Sequence, residues 1–314
     1  MANQRQRERK LEKGIAEGKK ELTAILSKRK RAISGTVSEF TGKRDFAVNP
    51  RTRNKLYREL GEEYKKLNLD VNEWTVNNAT KEAKQWWGYA KSDLPKGAVT
   101  DTFGAFSKQY IDDILGQINP ATVDKTVAMG AQIGGMHAND VRALRAAVST
   151  TIAEGAVEGL TNKQMADRMQ AKIKGKVGQF QFVDKAGRKW KGENYFGMLN
   201  RTIHANAARD TYVATATDAG FDLFQIEGGV TGSSLENASD PCDEWAGKII
   251  SMTGSTKGYP TYQDTVDAGM WHPACVHFLS AVPPSEMPAA KKQEKVEEKQ
   301  SDKVADKREE RKEQ

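Results

Sequence analysis

The spacing of the apolar residues changes near residue 175, and this change limits the folds that the chain can adopt. Before it, apolar side chains recur at intervals of three and four residues, as in the stripe Leu56, Leu60, Tyr64 and Leu67. Such spacing is typical of amphipathic helices, whereas the alternation that follows is typical of strands. We therefore predict an α+β fold with a mostly helical N-terminal two-thirds, a small α+β module after it, and charged flexible tails at both ends.

The helical part contains turn and cap signals that predict its divisions. Apolar residues from Phe103 to Ile114 lie on one face of a predicted helix. Residues 128–136 are rich in Gly and Ala, which indicates a flexible connection or a tight packing point. Asn139 and Asp140 are suitable N-caps, so we expect the next helix to begin after them.

The module after residue 175 mixes helix and strand signals. The helix that precedes the module is predicted to begin at a capping box formed by Thr161 and Gln164. Residues 180–190 alternate around a Gly-containing turn and predict a hairpin, and a long helix is expected from about 194 to 218. Three further strands are predicted, over 221–226, 248–252 and 275–282.

The positive charge of the chain is concentrated at its N-terminus. The net charge is +7, and residues 1–31 contain eleven basic and four acidic side chains, so the remainder is neutral. This distribution argues against a folded surface that binds nucleic acid throughout. The arm ends in Lys28, Arg29, Lys30 and Arg31, the candidate nucleic-acid-binding residues. It is either a solvated, partly disordered tail or an arm that orders on phosphate or on an acidic protein surface.

These features divide the chain into four consecutive segments. We predict a basic N-terminal arm and linker over 1–50, a helical region over 51–174, the α+β module over 175–285 and a charged tail over 286–314. Residues 291–314 contain nine basic and eight acidic side chains, and such a segment buries too little apolar surface to offset the entropy of ordering.

Hydropathy and cysteine content exclude several classes of protein. The mean hydropathy is −0.70, and no apolar run approaches the roughly 20 residues that a spanning helix needs. The apolar stretch over 22–26 is too short for a signal-peptide core, so we expect synthesis in a cytoplasm. Two cysteines are too few for a disulfide framework and are expected as free thiols or metal ligands.

A candidate metal site combines both cysteines with two of the four histidines, namely Cys242, His272, Cys275 and His277. Two thiols and two imidazoles are a donor set for tetrahedral zinc. Alternatively, these side chains only pack and form hydrogen bonds in the core, and His272 only shapes the turn before Pro273.

Catalytic alternatives also remain open at this stage. Cys242 or Cys275 can be paired with His272 or His204 as a nucleophile and its base. A metal-dependent nuclease or hydrolase can use the Cys/His cluster, or it can use Asp240 or Asp243 with His272 and His277. The chain contains no phosphate-binding loop, dinucleotide fingerprint, His-Glu-x-x-His helix or nucleophile elbow.

The order of motifs over 180–285 resembles the bacteriophage minor capsid proteins of the head-morphogenesis type, especially minor capsid protein 2. That family has a Gly-Arg turn, a Met-x-x-Arg-Thr helix, a Cys-x-x-Trp/Tyr-x-Gly-Lys segment, a Ser-x-x-Gly…Tyr-Pro stretch and a closing Asn-Cys-x-His. The matching residues here are Gly187-Arg188, Met198 to Thr202, Cys242 to Lys248, Ser251 to Gly254, Tyr259-Pro260 and Cys275-Val276-His277. One departure is Ala274, which stands where the family has Asn.

The resemblance implies a virion component without a known enzymatic activity, internal to the head and near the portal. Portal protein, major capsid protein or both are the implied partners, and the basic arm is a candidate for contact with packaged double-stranded DNA. No membrane and no small-molecule substrate is expected, and the host cytoplasm is the site of assembly. Arg201 and Arg209 are expected either to bind phosphate or to form an ion pair that holds their helix to the module.

Overall fold

The computed structural model describes residues 4–46, 48–99, 103, 120–183, 187–228, 242–273 and 275–283. The helices within these ranges are α1 (Gln4–Thr41), α2 (Pro50–Asp93), α3 (Pro120–Glu158), α4 (Asn162–Ile173), α5 (Gly192–Asp218), α6 (Cys242–Trp245) and α7 (Tyr262–Asp267). The strands are β1 (Phe182–Val183), β2 (Lys189–Trp190), β3 (Leu223–Glu227), β4 (Ile249–Ser251) and β5 (Phe278–Ala281). Long helices thus precede a small sheet, which confirms the predicted α+β class.

The chain forms two compact units from interleaved segments. Unit 1 comprises Met1–Glu17, Asn77–Asn119 and Met198–Gln314, and unit 2 comprises Gly18–Val76 and Pro120–Gly197. The four consecutive segments expected from the sequence stay a prediction.

Unit 1 contains a three-stranded antiparallel sheet in the order β4-β3-β5. Phe224 on the central strand is opposite Ile250 on one side and Ala281 on the other. Its buried core includes Leu11, Trp86, Tyr212, Phe224 and Phe278. Complete burial of one such large apolar side chain stabilises a fold by about 1.5–3 kcal/mol, so this core is the main support of the sheet.

Unit 2 is helical apart from the β1-β2 hairpin. The stripe Leu56, Leu60 and Leu67 on α2 is fully buried, as its spacing predicts. Thr161 and Gln164 make both hydrogen bonds of the capping box at the start of α4, which confirms that prediction.

The N-terminal residues differ from the expectation of a flexible arm. Residues 4–41 form one helix despite Gly14 and Gly18, each of which costs roughly 1 kcal/mol of helix propensity. Leu11, Leu22 and Ile33 are buried along this helix. Tertiary packing of these side chains outweighs the glycine penalty, an effect that composition alone does not reveal.

The predicted division of the third helix is wrong. Helix α3 continues through residues 128–136 instead of starting after Asn139, because Ile133 and Met136 are buried within that stretch. Asp140 is therefore no cap but a buried residue inside the helix. The predicted helix over 103–114, apart from Phe103, and the tail over 286–314 lie outside the described residues.

Candidate metal centre

Two segments of unit 1 bring the two cysteines and one histidine together. Cys242 is the first residue of the short helix α6, and its side chain belongs to the core of unit 1. Cys275 and His277 precede strand β5, where the Cys275 amide donates to the His272 carbonyl at 3.0 Å to close a turn. All three side chains are buried, with 0%, 4% and 3% of the surface of Cys242, Cys275 and His277 exposed.

The ligand atoms of Cys242, Cys275 and His277 lie within 4.8 Å of one another. The two Sγ atoms are 3.6 Å apart, and Cys275 Sγ is 3.6 Å from His277 Nδ1. Bonds of about 2.3 Å to sulfur and about 2.0 Å to nitrogen give a tetrahedral zinc site edges of about 3.8 and 3.5 Å. The spacing of these atoms therefore fits a tetrahedral metal ion as well as a hydrogen-bonded thiol pair.

His272 is not part of this group of three. Its ring is partly exposed, and its Nδ1 is 2.9 Å from the carbonyl oxygen of Pro273. The structure thus brings together three of the four ligands predicted from the sequence and places the fourth in the adjoining turn. The complete four-ligand assignment stays a prediction.

The surroundings of Cys275 favour its thiolate, the form that binds metal. The hydrogen bond with Cys242 contributes most, the contact with His277 and the charge of Arg209 contribute further, and together they lower the pKa of Cys275 to about 4 against the opposing effect of burial. A deprotonated thiol next to a second thiol and an imidazole is a strong donor set for a soft divalent ion.

His277 contacts Cys275 through Nδ1, and its other ring nitrogen is unpaired in the described structure. Its Nε2 is buried and has no hydrogen-bond partner among the described residues. The ring packs against Gly228, where a Cβ atom would lie 3.0 Å from His277 Cδ2. Gly228 has φ +108°, a backbone conformation that residues with a side chain rarely adopt. Glycine at this position therefore allows the end of β3 to pack against the imidazole.

Arg209 of α5 lies near the cysteines, and sequence reasoning did not connect it with them. It is buried, and its Nε donates to the adjacent Asp210 carboxylate at 3.0 Å. This pair joins neighbours on one helix, so the ion pair that was expected to hold the helix to the module stays a prediction. Arg201 is exposed. No spacing in the sequence signals the closeness of Arg209 to Cys275, because residues 66 positions apart meet only in the folded unit.

The basic run of the N-terminal segment lies on α1 within unit 2. Lys28 and Arg31 are exposed. Arg29 Nε donates to Asp70 Oδ2 at 2.7 Å, and Lys30 Nζ donates to Gln179 Oε1 at 3.2 Å. Two of the four candidate nucleic-acid-binding residues are therefore engaged within the protein, and the DNA contact stays a prediction.

His204, which could pair with a cysteine in catalysis, is paired with a glutamate in the structure. His204 Nδ1 is 2.8 Å from Glu82 Oε2, and Glu82 also accepts a hydrogen bond from Trp86 Nε1 at 3.1 Å. This arrangement is a buried polar pair in the core of unit 1. Along the described ranges, no helix is both long and apolar enough to cross a bilayer.

Comparison with known protein families gives a match over most of the chain. The family described as Phage minor capsid protein 2 matches residues 65–314, which is more than half of the chain and includes the cysteine and histidine cluster. No curated protein and no solved structure matches the chain.

Proposed function

This chain belongs to the phage minor capsid protein 2 family, and from that premise we propose that it is a non-enzymatic structural component of the head that docks near the portal. Its location is the virion. We propose further that it lies in the capsid interior and that it is assembled in the host cytoplasm. The observation that carries the proposal is the family match over 65–314, which includes most of α2, the helices after it and the sheet module. Portal protein, major capsid protein or both are the proposed partners.

Docking to the portal is tested by co-expression. The full chain is produced with the portal protein of the same phage and, separately, with its major capsid protein, and each mixture is analysed by light scattering after size exclusion. A complex of defined stoichiometry with portal supports the proposal. A complex with major capsid protein alone, or with neither, contradicts the portal contact.

We propose that helix α1 contacts packaged double-stranded DNA through its exposed basic side chains. Lys28 and Arg31 are exposed, whereas Arg29 is paired with Asp70. Each neutralised phosphate contributes about −0.9 to the slope of log affinity against log salt concentration. The double variant Lys28→Gln/Arg31→Gln should reduce that slope by about 2, and Lys163→Gln on α4 should leave it unchanged. Equal affinity and slope in all three proteins would contradict a DNA role for this run.

We propose zinc as the ion held by Cys242, Cys275 and His277, with a role in the stability of unit 1. A zinc ion supplies cross-links between α6 and the residues before β5 that a small sheet with few strands otherwise lacks. His272 stays the predicted fourth ligand. Elemental analysis of the purified chain tests the proposal: one zinc per chain supports it, and a purified chain that contains no metal and does not bind added zinc contradicts it.

The alternative function is a metal-dependent nuclease or hydrolase. One observation favours it: three ligands gathered by the structure leave one coordination position, as catalytic zinc sites do. Incubation of the zinc-loaded chain with plasmid DNA and with ester substrates tests the alternative. Turnover that is lost in Cys275→Ser would support an enzyme, and no turnover would support the structural role.

A further inference from the structure

Arg209 is a fully desolvated cation whose donors are only partly used. It has 4% of its surface exposed, its Nε donates to Asp210, and its Nη2 donates to Asn206 Oδ1 at 2.8 Å. Its Nη1 is buried and has no hydrogen-bond partner among the described residues. An unsatisfied N–H on a buried guanidinium costs free energy, so an additional acceptor beside Arg209 lowers this cost.

The guanidinium also holds the turn that carries Cys275. It stacks over the Trp271 ring at 4.6 Å. Trp271 is fixed in turn, because its Nε1 donates to Thr265 Oγ1 at 2.8 Å and its ring stacks on Tyr262 with centroids 5.8 Å apart. Trp271 has φ +61°, a conformation that a large side chain keeps only when its contacts require it.

We propose that Arg209 is a positioning residue of the metal centre, which holds Trp271 in the turn before Cys275 and places its positive charge near the metal-bound thiolates. The proposal rests on the proposed binding of zinc by Cys242, Cys275 and His277. Two thiolates bring two negative charges into a buried site, and an adjacent cation stabilises them there.

A purely structural role for Arg209 predicts a different result. If the guanidinium only packs α5 against Trp271, its replacement lowers the stability of the fold with and without metal by the same amount. A positioning role instead lowers the affinity for metal. Partners of metal ligands typically contribute 10–100-fold to affinity, so we expect a loss of that order.

The experiment uses the full chain with Arg209→Met, Arg209→Lys and the control Arg201→Met, an exposed arginine of the same helix. Zinc dissociation constants are measured by competition with a chromogenic chelator, and the thiolate-to-metal absorption is measured with Co²⁺. We expect zinc binding roughly 10–100-fold weaker in Arg209→Met, intermediate in Arg209→Lys and unchanged in Arg201→Met, with a shifted Co²⁺ thiolate band in Arg209→Met. Thermal unfolding without metal gives the part of the effect that is due to packing.

The possible outcomes separate this proposal from the one on which it depends. Absence of zinc binding by the unaltered chain overturns both. Zinc binding by the unaltered chain with the same dissociation constant in Arg209→Met overturns only the role of Arg209. If Arg209→Met does not fold, Arg209→Lys serves instead, since it keeps the charge but loses the planar fork. A weaker affinity in Arg209→Lys supports the proposal, and an unchanged affinity overturns it.

Discussion

The hydroxyl of Tyr64 on α2 donates a 2.7 Å hydrogen bond to the carboxylate of Asp140 on α3, within the core of unit 2. Asp140 also accepts a hydrogen bond from the Gly178 amide at 2.7 Å. Burial nevertheless outweighs both contacts and raises the pKa of Asp140 to about 6. The carboxyl is therefore a proton-binding group that is placed between two long helices.

This pKa makes the stability of unit 2 dependent on pH. The folded chain binds the Asp140 proton more tightly than the unfolded chain, so the contribution is complete below pH 4 and is lost as pH rises through 6. A shift of two pKa units corresponds to about 3 kcal/mol as an upper estimate. We expect urea unfolding to show a fall in stability between pH 4 and pH 6.5 that is missing in Asp140→Asn. The same pH dependence in both proteins would contradict this assignment.

Gly192, at the start of α5, is predicted to tolerate no side chain. A Cβ atom there would lie 2.5 Å from Phe180 Cβ and 2.9 Å from the Phe180 carbonyl oxygen. Phe180 itself has φ +51°, so this loop has little freedom to move. Gly192→Ala should lower the free energy of unfolding by about 1–3 kcal/mol.

Gly197 on the same helix is the matched control. A Cβ atom at Gly197 meets nothing within 4 Å, and Ala is favoured over Gly in a helix by about 1 kcal/mol. Gly197→Ala should therefore raise the free energy of unfolding, as measured by urea denaturation. Equal effects of the two substitutions would show that steric contact with Phe180 is not the cause.

Arg7 joins the N-terminal turns of α1 to the rest of unit 1. Its guanidinium pairs with Asp93, donates to Ser280 Oγ at 3.4 Å and lies 5.4 Å from the rings of Tyr89 and Tyr212. Removal of one partner from a buried ion pair costs about 3–5 kcal/mol, because the other charge stays buried. Arg7→Ala should lower stability by about this amount and increase amide exchange over residues 4–17, whereas the exposed Arg9→Ala should change neither. Unchanged exchange in Arg7→Ala would contradict the anchoring role.

The proposed zinc site predicts a metal-dependent melting temperature. Free zinc at 1,000 times its dissociation constant stabilises the folded chain by about 4 kcal/mol. Zinc should therefore raise the melting temperature of the unaltered chain and leave the melting temperatures of Cys242→Ser and Cys275→Ser unchanged. His272→Ala should weaken this response less than either cysteine variant, because His272 lies outside the group of three. A full loss in His272→Ala would instead make it an essential ligand.

Local patterns in the sequence predicted the features that depend on neighbouring residues. The buried stripe of α2 and the Thr161 capping box follow from spacing over a few positions, and Cys275 lies close to His277 because a single residue separates them. The family resemblance, which rests on the order of several motifs, is confirmed by the match over 65–314.

Features that depend on long-range packing were not predicted. The helix over 4–41 forms although its composition is compatible with a solvated tail, because Leu11, Leu22 and Ile33 are buried within the units. Asp140 has the sequence character of a cap but lies inside α3, since Tyr64 and Gly178 supply its partners. The contact of Arg209 with Trp271 joins residues 62 positions apart, and nothing in local spacing signals it.

Quantitative mass spectrometry of purified phage particles tests whether this chain is a structural component of the head. A structural role predicts that the chain is present in mature particles in few copies, at a fixed ratio to the portal protein and far below the major capsid protein. Its presence only in lysates of infected cells, or at a ratio to portal that varies between preparations, would contradict a structural role in the head.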